Sequence, residues 1–273
     1  MATRNLVIIS DTHCVCRLGL CPPSGCELDD GAHYMPSKAQ KKVWAHWREF
    51  WDEWIPRVTH GEPYVLVHNG DVIDGVHHGS VTQITHNLTY QRQLALEILL
   101  PMVRDPMCVA YYHIRGTEAH VGKSGAEEEQ LARELGAAPN KEGQHARWEL
   151  WIEVGPALVH ITHHIGTSGA AAYESTALNR ELVNAYTEAG RWNDRRPDFV
   201  VRSHRHRQAE IRLPTELGYG TAFITPGWQL KTPFVFRMAA KLSQPQFGGS
   251  IIRAGDEDVY SRHRTWTLAR PKV

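Results

Sequence analysis

The chain has 273 residues, 42% hydrophobic and 22% charged, which is enough material for a full hydrophobic core and typical of a globular protein. Thirty basic residues balance thirty acidic ones, which excludes a protein that coats nucleic acid by net charge alone. No apolar run is long enough to span a bilayer, and no cationic segment leading into an apolar one opens the chain, so a cytoplasmic location without a membrane partner is expected.

Leu6-Val7-Ile8-Ile9 is a short apolar run that stops at Ser10-Asp11-Thr12-His13. Such a run reads as a buried strand carrying an acid and an imidazole at its carboxyl end, where open α/β sheets bind ligands. Cys14 to Pro36 has neither helical nor strand period and reads as a long loop beside that end. Its Cys14, Cys16, Cys21 and Cys26 do not follow a common zinc spacing, so free thiols are expected, with a structural zinc as the alternative.

Ser37 with Gln40 forms a capping box, and Val43, Trp44, Trp47, Phe50, Trp51, Trp54, Ile55 and Val58 recur at helical spacing. This predicts a long helix whose tryptophans face the core. Pro63 to Asn69 is the second strand, ending at Gly70-Asp71-Val72-Ile73-Asp74, and a helix over Gln83–Val103 leads to a third strand over Met107–Ile114. The alternation is that of a parallel sheet. His77 and His78 follow the second strand closely, with Asp74 between; they read as loop residues, with a place lining the site as the alternative.

A short helix over Ala126–Leu135 precedes two strands, Arg147–Val154 and Ala157–Thr162, which lead to His163-His164. A helix over Ala170–Ala189 and a strand over Asp198–Arg202 lead to Ser203-His204-Arg205-His206. Beyond Gln208, short strands broken by Gly and Pro, including Phe234–Arg237, predict a second, antiparallel sheet. Neither a repeat nor a low-complexity linker divides the chain, so residues 1–273 are expected to form a single domain.

Ligand-type residues recur at strand ends in order: Asp11 and His13, Asp71, Glu118 and His120, His163, then His204 and His206. Mixed carboxylate and imidazole sets suit Mn, Fe, Zn or Ni better than Ca or Mg alone. With so many ligands two ions are expected, and a shared Asp71 could bridge them. Two metals ~3.5 to 4 Å apart make a clamp for in-line displacement at phosphorus.

The ordered set resembles the calcineurin-like metallophosphoesterase superfamily from Ser10 to His206. Asp11-Thr12-His13 is similar to its first motif, Gly70-Asp71 to its second, His163 to its fourth and His204-Arg205-His206 to its terminal histidine pair. The resemblance implies an α/β (α+β) fold, a four-layer αββα sandwich of two mixed sheets, and two divalent metal ions. Manganese is the first choice, with Fe, Zn, Ni or Mg as alternatives. Asp11, His13 and His206 would hold one metal and His163 and His204 the other, with Asp71 bridging. The family's third motif is Gly-Asn-His followed by an acid, whereas this chain reads Gly116-Thr117-Glu118-Ala119-His120. His120 is then expected as the catalytic imidazole that donates a proton or contacts phosphate, with Glu118, or failing that Thr117, as the metal ligand replacing Asn.

Gly116 through Ser124 also resembles a phosphate-binding P-loop, with one residue too many between its glycines. Arg205, between two expected ligands, and His164 are the candidate substrate contacts. The expected activity is a metal-dependent phosphoesterase in which metal-bound hydroxide attacks a phosphodiester such as DNA, RNA or a nucleotide. The alternatives are a phosphomonoesterase or protein phosphatase, and a non-catalytic binding module stabilised by its metals.

Overall fold

The opening apolar run forms strand β1 (Asn5–Ile9), in which every residue is buried. The computed structural model describes residues 3–77, 79–121, 125–166, 173–216, 218–237 and 244–269. The loop after β1 is ordered rather than loose. Cys14, Val15, Cys16, Leu20 and Cys21 are buried, and a small hairpin joins β2 (Cys26–Glu27) to β3 (His33–Tyr34). The buried Gln40 amide donates to the carbonyls of Cys16 and Gly19, at 3.1 Å each, and so binds this loop to the first helix.

Helix α1 (Lys38–Glu49) opens on the expected capping box of Ser37 and Gln40. A π-helical turn over Phe50–Trp54 then leads into α2 (Ile55–Thr59). The wider turn keeps Trp47, Phe50, Trp51 and Trp54 all buried, with Trp47 and Phe50 packed against Trp228 and Trp51 and Trp54 against them. The tryptophans are core residues, as their spacing predicts. Strand β4 (Tyr64–Asn69) is followed by α3 (Leu88–Val103), capped by Asn87 and therefore shorter at its start than the periodicity implied. Then come β5 (Cys108–Ile114), the one-turn α4 (Glu118–Val121) and α5 (Ala126–Glu134).

The remaining elements are β6 (Ala146–Arg147), β7 (Leu150–Val154), β8 (Ala157–Ile161), α6 (Glu174–Trp192), β9 (Phe199–Arg202), β10 (Ala209–Thr215), β11 (Gly218–Ile224), α7 (Pro233–Arg237), β12 (Phe247–Ala254) and β13 (Val259–Trp266). One sheet has the order β13-β12-β1-β4-β5-β6 and the other β10-β11-β9-β8-β7. Both are mixed, with β1, β4, β5 and β6 parallel in the first and β8, β9 and β11 parallel in the second.

Alternate residues of the central strands separate into two cores, which explains why those strands are apolar throughout. Leu6, Ile8, Val65 and Val67 of the first sheet meet Val159, Ile161, Phe199 and Val201 of the second. Val7, Ile9 and Leu66 face the other way, against α1, α3 and α5. On the far side of the second sheet, Val200, Ala222 and Ile224 pack under Leu178 and Leu182 of α6. The result is the expected four-layer αββα sandwich. A fully buried side chain of the Ile8 type contributes roughly 1.5–3 kcal/mol by leaving water.

Two expectations about the C-terminal third need correction. Its strands do not form a sheet of their own: β10 and β11 extend the second sheet, while β12 pairs antiparallel with β1 and closes the first. Residues 234–237 are helical, not extended, because Pro233 starts a turn whose Val235 N–H is taken by Thr232 Oγ1 at 3.3 Å. The cysteines are all free, and Cys14 and Cys26 pack in the core. Burial pushes the Cys14 and Cys16 thiols up to about 12, so both stay protonated, and no group of metal-ligand geometry among the described residues contains a cysteine. His78 and the Gly122-Lys123-Ser124 end of the P-loop-like stretch lie outside the described residues.

Candidate metal centre

The strand ends converge because both sheets deliver their parallel strands to the same edge. Beyond β1 and β4 the chain continues paired: Asp11 N–H donates to Gly70 O (2.9 Å), His13 N–H to Asp71 O (3.1 Å) and Cys14 N–H to Val72 O (2.7 Å). Pairing the two loops this way turns Asp11, His13 and Asp71 into left-handed backbone, with φ of 52°, 40° and 55°, and His204 and His206 likewise adopt 72° and 51°. Left-handed conformations cost a residue with a Cβ on the order of 1 kcal/mol each, and five of the eight such residues described are in this cluster.

Two glycines permit the close approach. A Cβ on Gly70, at φ +83°, would lie 2.3 Å from the His163 ring, and one on Gly116 would lie 2.2 Å from Asp71 Oδ1.

Three side chains form the first seat: Asp11, His13 and His206. His206 Nε2 lies 3.2 Å from both His13 Nε2 and Asp11 Oδ1. Asp11 Oδ1 is buried and accepts no hydrogen bond, an arrangement that suits a cation between these atoms. The second seat is Asp71, His163 and His204. Asp71 Oδ2 is 3.0 Å from His163 Nε2 and 3.8 Å from His204 Nδ1. His163 Nδ1 donates to Asn69 O at 2.6 Å, which leaves Nε2 facing the cluster. The donor set is the mixed imidazole and carboxylate type that suits a divalent transition metal, and two overlapping groups, His13 with Asp71 and His120 and Asp74 with His77 and His120, have similar spacing.

Electrostatics agree with this arrangement. Burial disfavours the Asp11 charge, yet His206 and His163 hold its carboxyl below the usual range. Burial likewise opposes ionisation of Asp71, and His163 and His120 outweigh it. Burial also works against a charged His163, but Asp71 and Asp11 push it up to about 10, whereas burial and the neighbouring His120 push His13 down to about 4. His163 is thus the imidazole of the cluster that favours its proton and His13 the one that favours the neutral form.

The turn after β5 departs from expectation. Glu118 is exposed on α4 and belongs to no candidate metal group, because the turn directs it outward. Thr117 faces inward instead, its N–H and Oγ1 each 2.7 Å from Asp71 Oδ1. Buried Glu128 fixes the turn from below by accepting from Gly116 N–H at 3.0 and 3.2 Å. His120 does reach the cluster, with Nδ1 on Asp74 O (2.6 Å) and Nε2 3.9 Å from Asp71 Oδ2.

Asp74 and His77, for which the sequence favours a loop position over a place lining the site, do lie against this cluster. Asp74 Oδ1 is 3.3 Å from His13 Nδ1, and its carboxylate is held by the amides of Gln83 (2.9 Å) and Gln229 (3.2 Å). The signal available in the sequence was its place three residues after Asp71. His77 lies 3.7 Å from Asp74, its ring 4.6 Å from that of His120. His164 is exposed, with its ring 5.1 Å from His163 and 5.3 Å from His204, so it sits at the rim. Arg205 is half-buried and feels Glu174, Arg207 and Glu181. The surrounding arginines are mostly ion-paired: Arg191 with Glu188, Arg195 with Glu153, Arg202 with Glu181 and Arg207 with Glu174.

No family model and no curated protein matches the chain. Among solved structures it is similar to vacuolar protein sorting 29 from Cryptosporidium parvum, at 10% identity and a TM-score of 0.37, over 98% of this chain and 100% of that one. It is also similar to protein TM1076 of Thermotoga maritima, at 9% identity and a TM-score of 0.35, over 97% and 100%. A third is the sulfate thiohydrolase SoxB of Thermus thermophilus, at 11% identity and a TM-score of 0.40, over 98% of this chain and 57% of that one. These overlaps are too loose to assign a family, and the four-layer fold stands on its own strand order and packing.

Proposed function

We propose that this protein is a metal-dependent phosphoester hydrolase of the calcineurin-like metallophosphoesterase type, acting on a phosphodiester of the nucleotide or nucleic-acid class. The observation that carries this reading is the position of Asp71, whose Oδ2 faces His163, His204 and His120 at 3.0, 3.8 and 3.9 Å. A buried carboxylate placed in this way suits a shared ligand between two cations, of which manganese is the first to test. Two divalent cations would supply Lewis-acid charge at the phosphoryl oxygens and make a water nucleophilic near neutral pH.

The protein's own contribution is orientation and proton handling. Thr117 holds Asp71 by its N–H and hydroxyl, so the carboxylate keeps one face toward the cluster. His120, fixed through Nδ1, points Nε2 at the same space and is the imidazole placed to give a proton to the leaving oxygen. His164 and Arg205 lie on the loops that rim the site and are the proposed substrate contacts.

The test is a panel of bis(p-nitrophenyl) phosphate, p-nitrophenyl phosphate, cyclic nucleotides and single- and double-stranded DNA, run with Mn, Zn, Ni and Mg. Diester turnover that chelator abolishes and Mn restores supports the proposal; no turnover on any member overturns it. One observation favours a non-catalytic module instead: the third turn lacks the amide ligand and gives its Thr117 donors to Asp71. That reading requires bound metal without turnover.

A further inference from the structure

Each seat draws ligands from both sheets. Asp11 and His13 follow β1 in the first sheet, whereas their partner His206 follows β9 in the second; Asp71 follows β4, whereas His163 and His204 follow β8 and β9. The distance between cation ligands is therefore set by how the two sheets are held together just beneath the site.

That place is occupied by four polar residues, each 0% exposed: Ser10, Asn69, Ser203 and Thr225. Ser10 directly precedes Asp11, Asn69 stands two residues before Asp71, and Ser203 directly precedes His204. Thr225 follows the end of β11. Asn69 Nδ2 donates to Ser203 Oγ at 2.7 Å and to Thr162 O at 3.0 Å. Ser203 Oγ is 2.6 Å from Thr225 Oγ1, Thr225 Oγ1 is 2.7 Å from Ser10 Oγ, and Ser10 Oγ is 3.3 Å from Pro226 O.

Each hydroxyl carries one proton, and the Asn69 Nδ2 group at one end can only donate while the carbonyl at the other can only accept. The protons can then run from Asn69 through Ser203, Thr225 and Ser10 to Pro226 O, with Arg202 O, 3.5 Å from Thr225 Oγ1, as a second, longer acceptor. A buried chain of this kind is costly to break in the middle, because both neighbours then lose a partner.

We infer that this hydroxyl chain is the inter-sheet clamp that sets ligand spacing across both cation seats, with Thr225 as its central positioning residue. The inference rests on the proposed two-cation site. It makes Ser203 a determinant of cation affinity although neither Ser203 nor Thr225 belongs to a ligand group.

The test is Mn²⁺ titration by calorimetry and electron paramagnetic resonance of the manganese-loaded protein, on wild type, Thr225→Val, Thr225→Ser and Ser203→Ala. Valine keeps the shape but cuts two links, and serine restores the hydroxyl. In Thr225→Val both equivalents should bind about 10- to 100-fold more weakly, the range seen when a group supporting metal ligands is lost. The Mn–Mn coupling pattern should change, and Thr225→Ser should recover both. Ser203→Ala, which cuts the chain nearer its end, should behave as Thr225→Val and stands in for it if valine prevents folding, judged by the melting transition of the cation-free protein. Wild-type affinity and coupling in a folded Thr225→Val or Ser203→Ala overturn the inference while leaving the two-cation reading intact. A wild-type protein that binds no Mn²⁺ overturns both.

Discussion

The two cation seats share one plan but differ in how much protein surrounds them. In the first, Asp11 and His13 are almost wholly buried, and His13 is backed by Asp74, which two glutamine amides hold in turn. In the second, Asp71 and His163 are as deeply buried, but the His204 side chain is 40% exposed and has His164 beside it at the rim. A ligand held on both sides keeps its geometry without the metal, whereas one open to solvent must be ordered by it. If both seats take cations, the first, whose most open ligand His206 is 19% exposed, should retain its ion longer than the second, whose His204 is 40% exposed.

Asp71→Asn is the change expected to break both seats, since it removes the charge facing three imidazoles. Hydrolysis should fall by about 1,000-fold, roughly 4 kcal/mol of lost transition-state stabilisation, with Mn²⁺ stoichiometry below two. Near-normal turnover in this variant would remove the bridging role. Asp74→Asn separates the seats: one Mn²⁺ equivalent should weaken by about 10- to 100-fold while the other holds, because of the six ligands in the two seats only His13 has Asp74 as its supporting carboxylate. Equal weakening of both equivalents would erase the asymmetry.

A pH series addresses the second seat. Without a cation, Asp71 and Asp11 overcome burial and push His163 up to about 10, so the imidazole carries a proton throughout the neutral range. A raised value means that proton must leave for a cation to bind. Binding should therefore release a proton, and affinity should rise by about tenfold per pH unit between pH 6 and 8. Calorimetry in two buffers of different ionisation enthalpy measures the released proton; none released would contradict the assignment. The smallest effect is expected from Glu118→Gln, which should stay within about twofold of wild type in kcat/KM because the side chain is exposed away from both seats.

The ligands of the two seats and the residues around them were unequally legible in the sequence. Asp11, His13, Asp71, His163, His204 and His206 all follow apolar runs, and a strand buried on both faces is easily read from such a run. The residues that finish the site do not follow that rule. Asp74 and His77 stand in a segment without periodicity, and their place follows from Gln83, Gln91 and Gln229, whose amides bind Asp74 and the Gly75 backbone. At the third turn the sequence offered Glu118 and Thr117 as rivals, and only the backbone path, held by Glu128, turned Thr117 toward Asp71.

What the sequence determined by itself was the set of buried strands, the capping of the first helix and the residues that strand ends would carry, since these depend on local period and polarity. What only the tertiary structure decided was which strands pair and which side chains from different strands meet. β12 lies against β1 more than 230 residues away in sequence, and nothing local records that neighbour. The same holds for the hydroxyl chain under the seats, where each of four ordinary polar residues gains a role solely because two sheets bring their strand ends together.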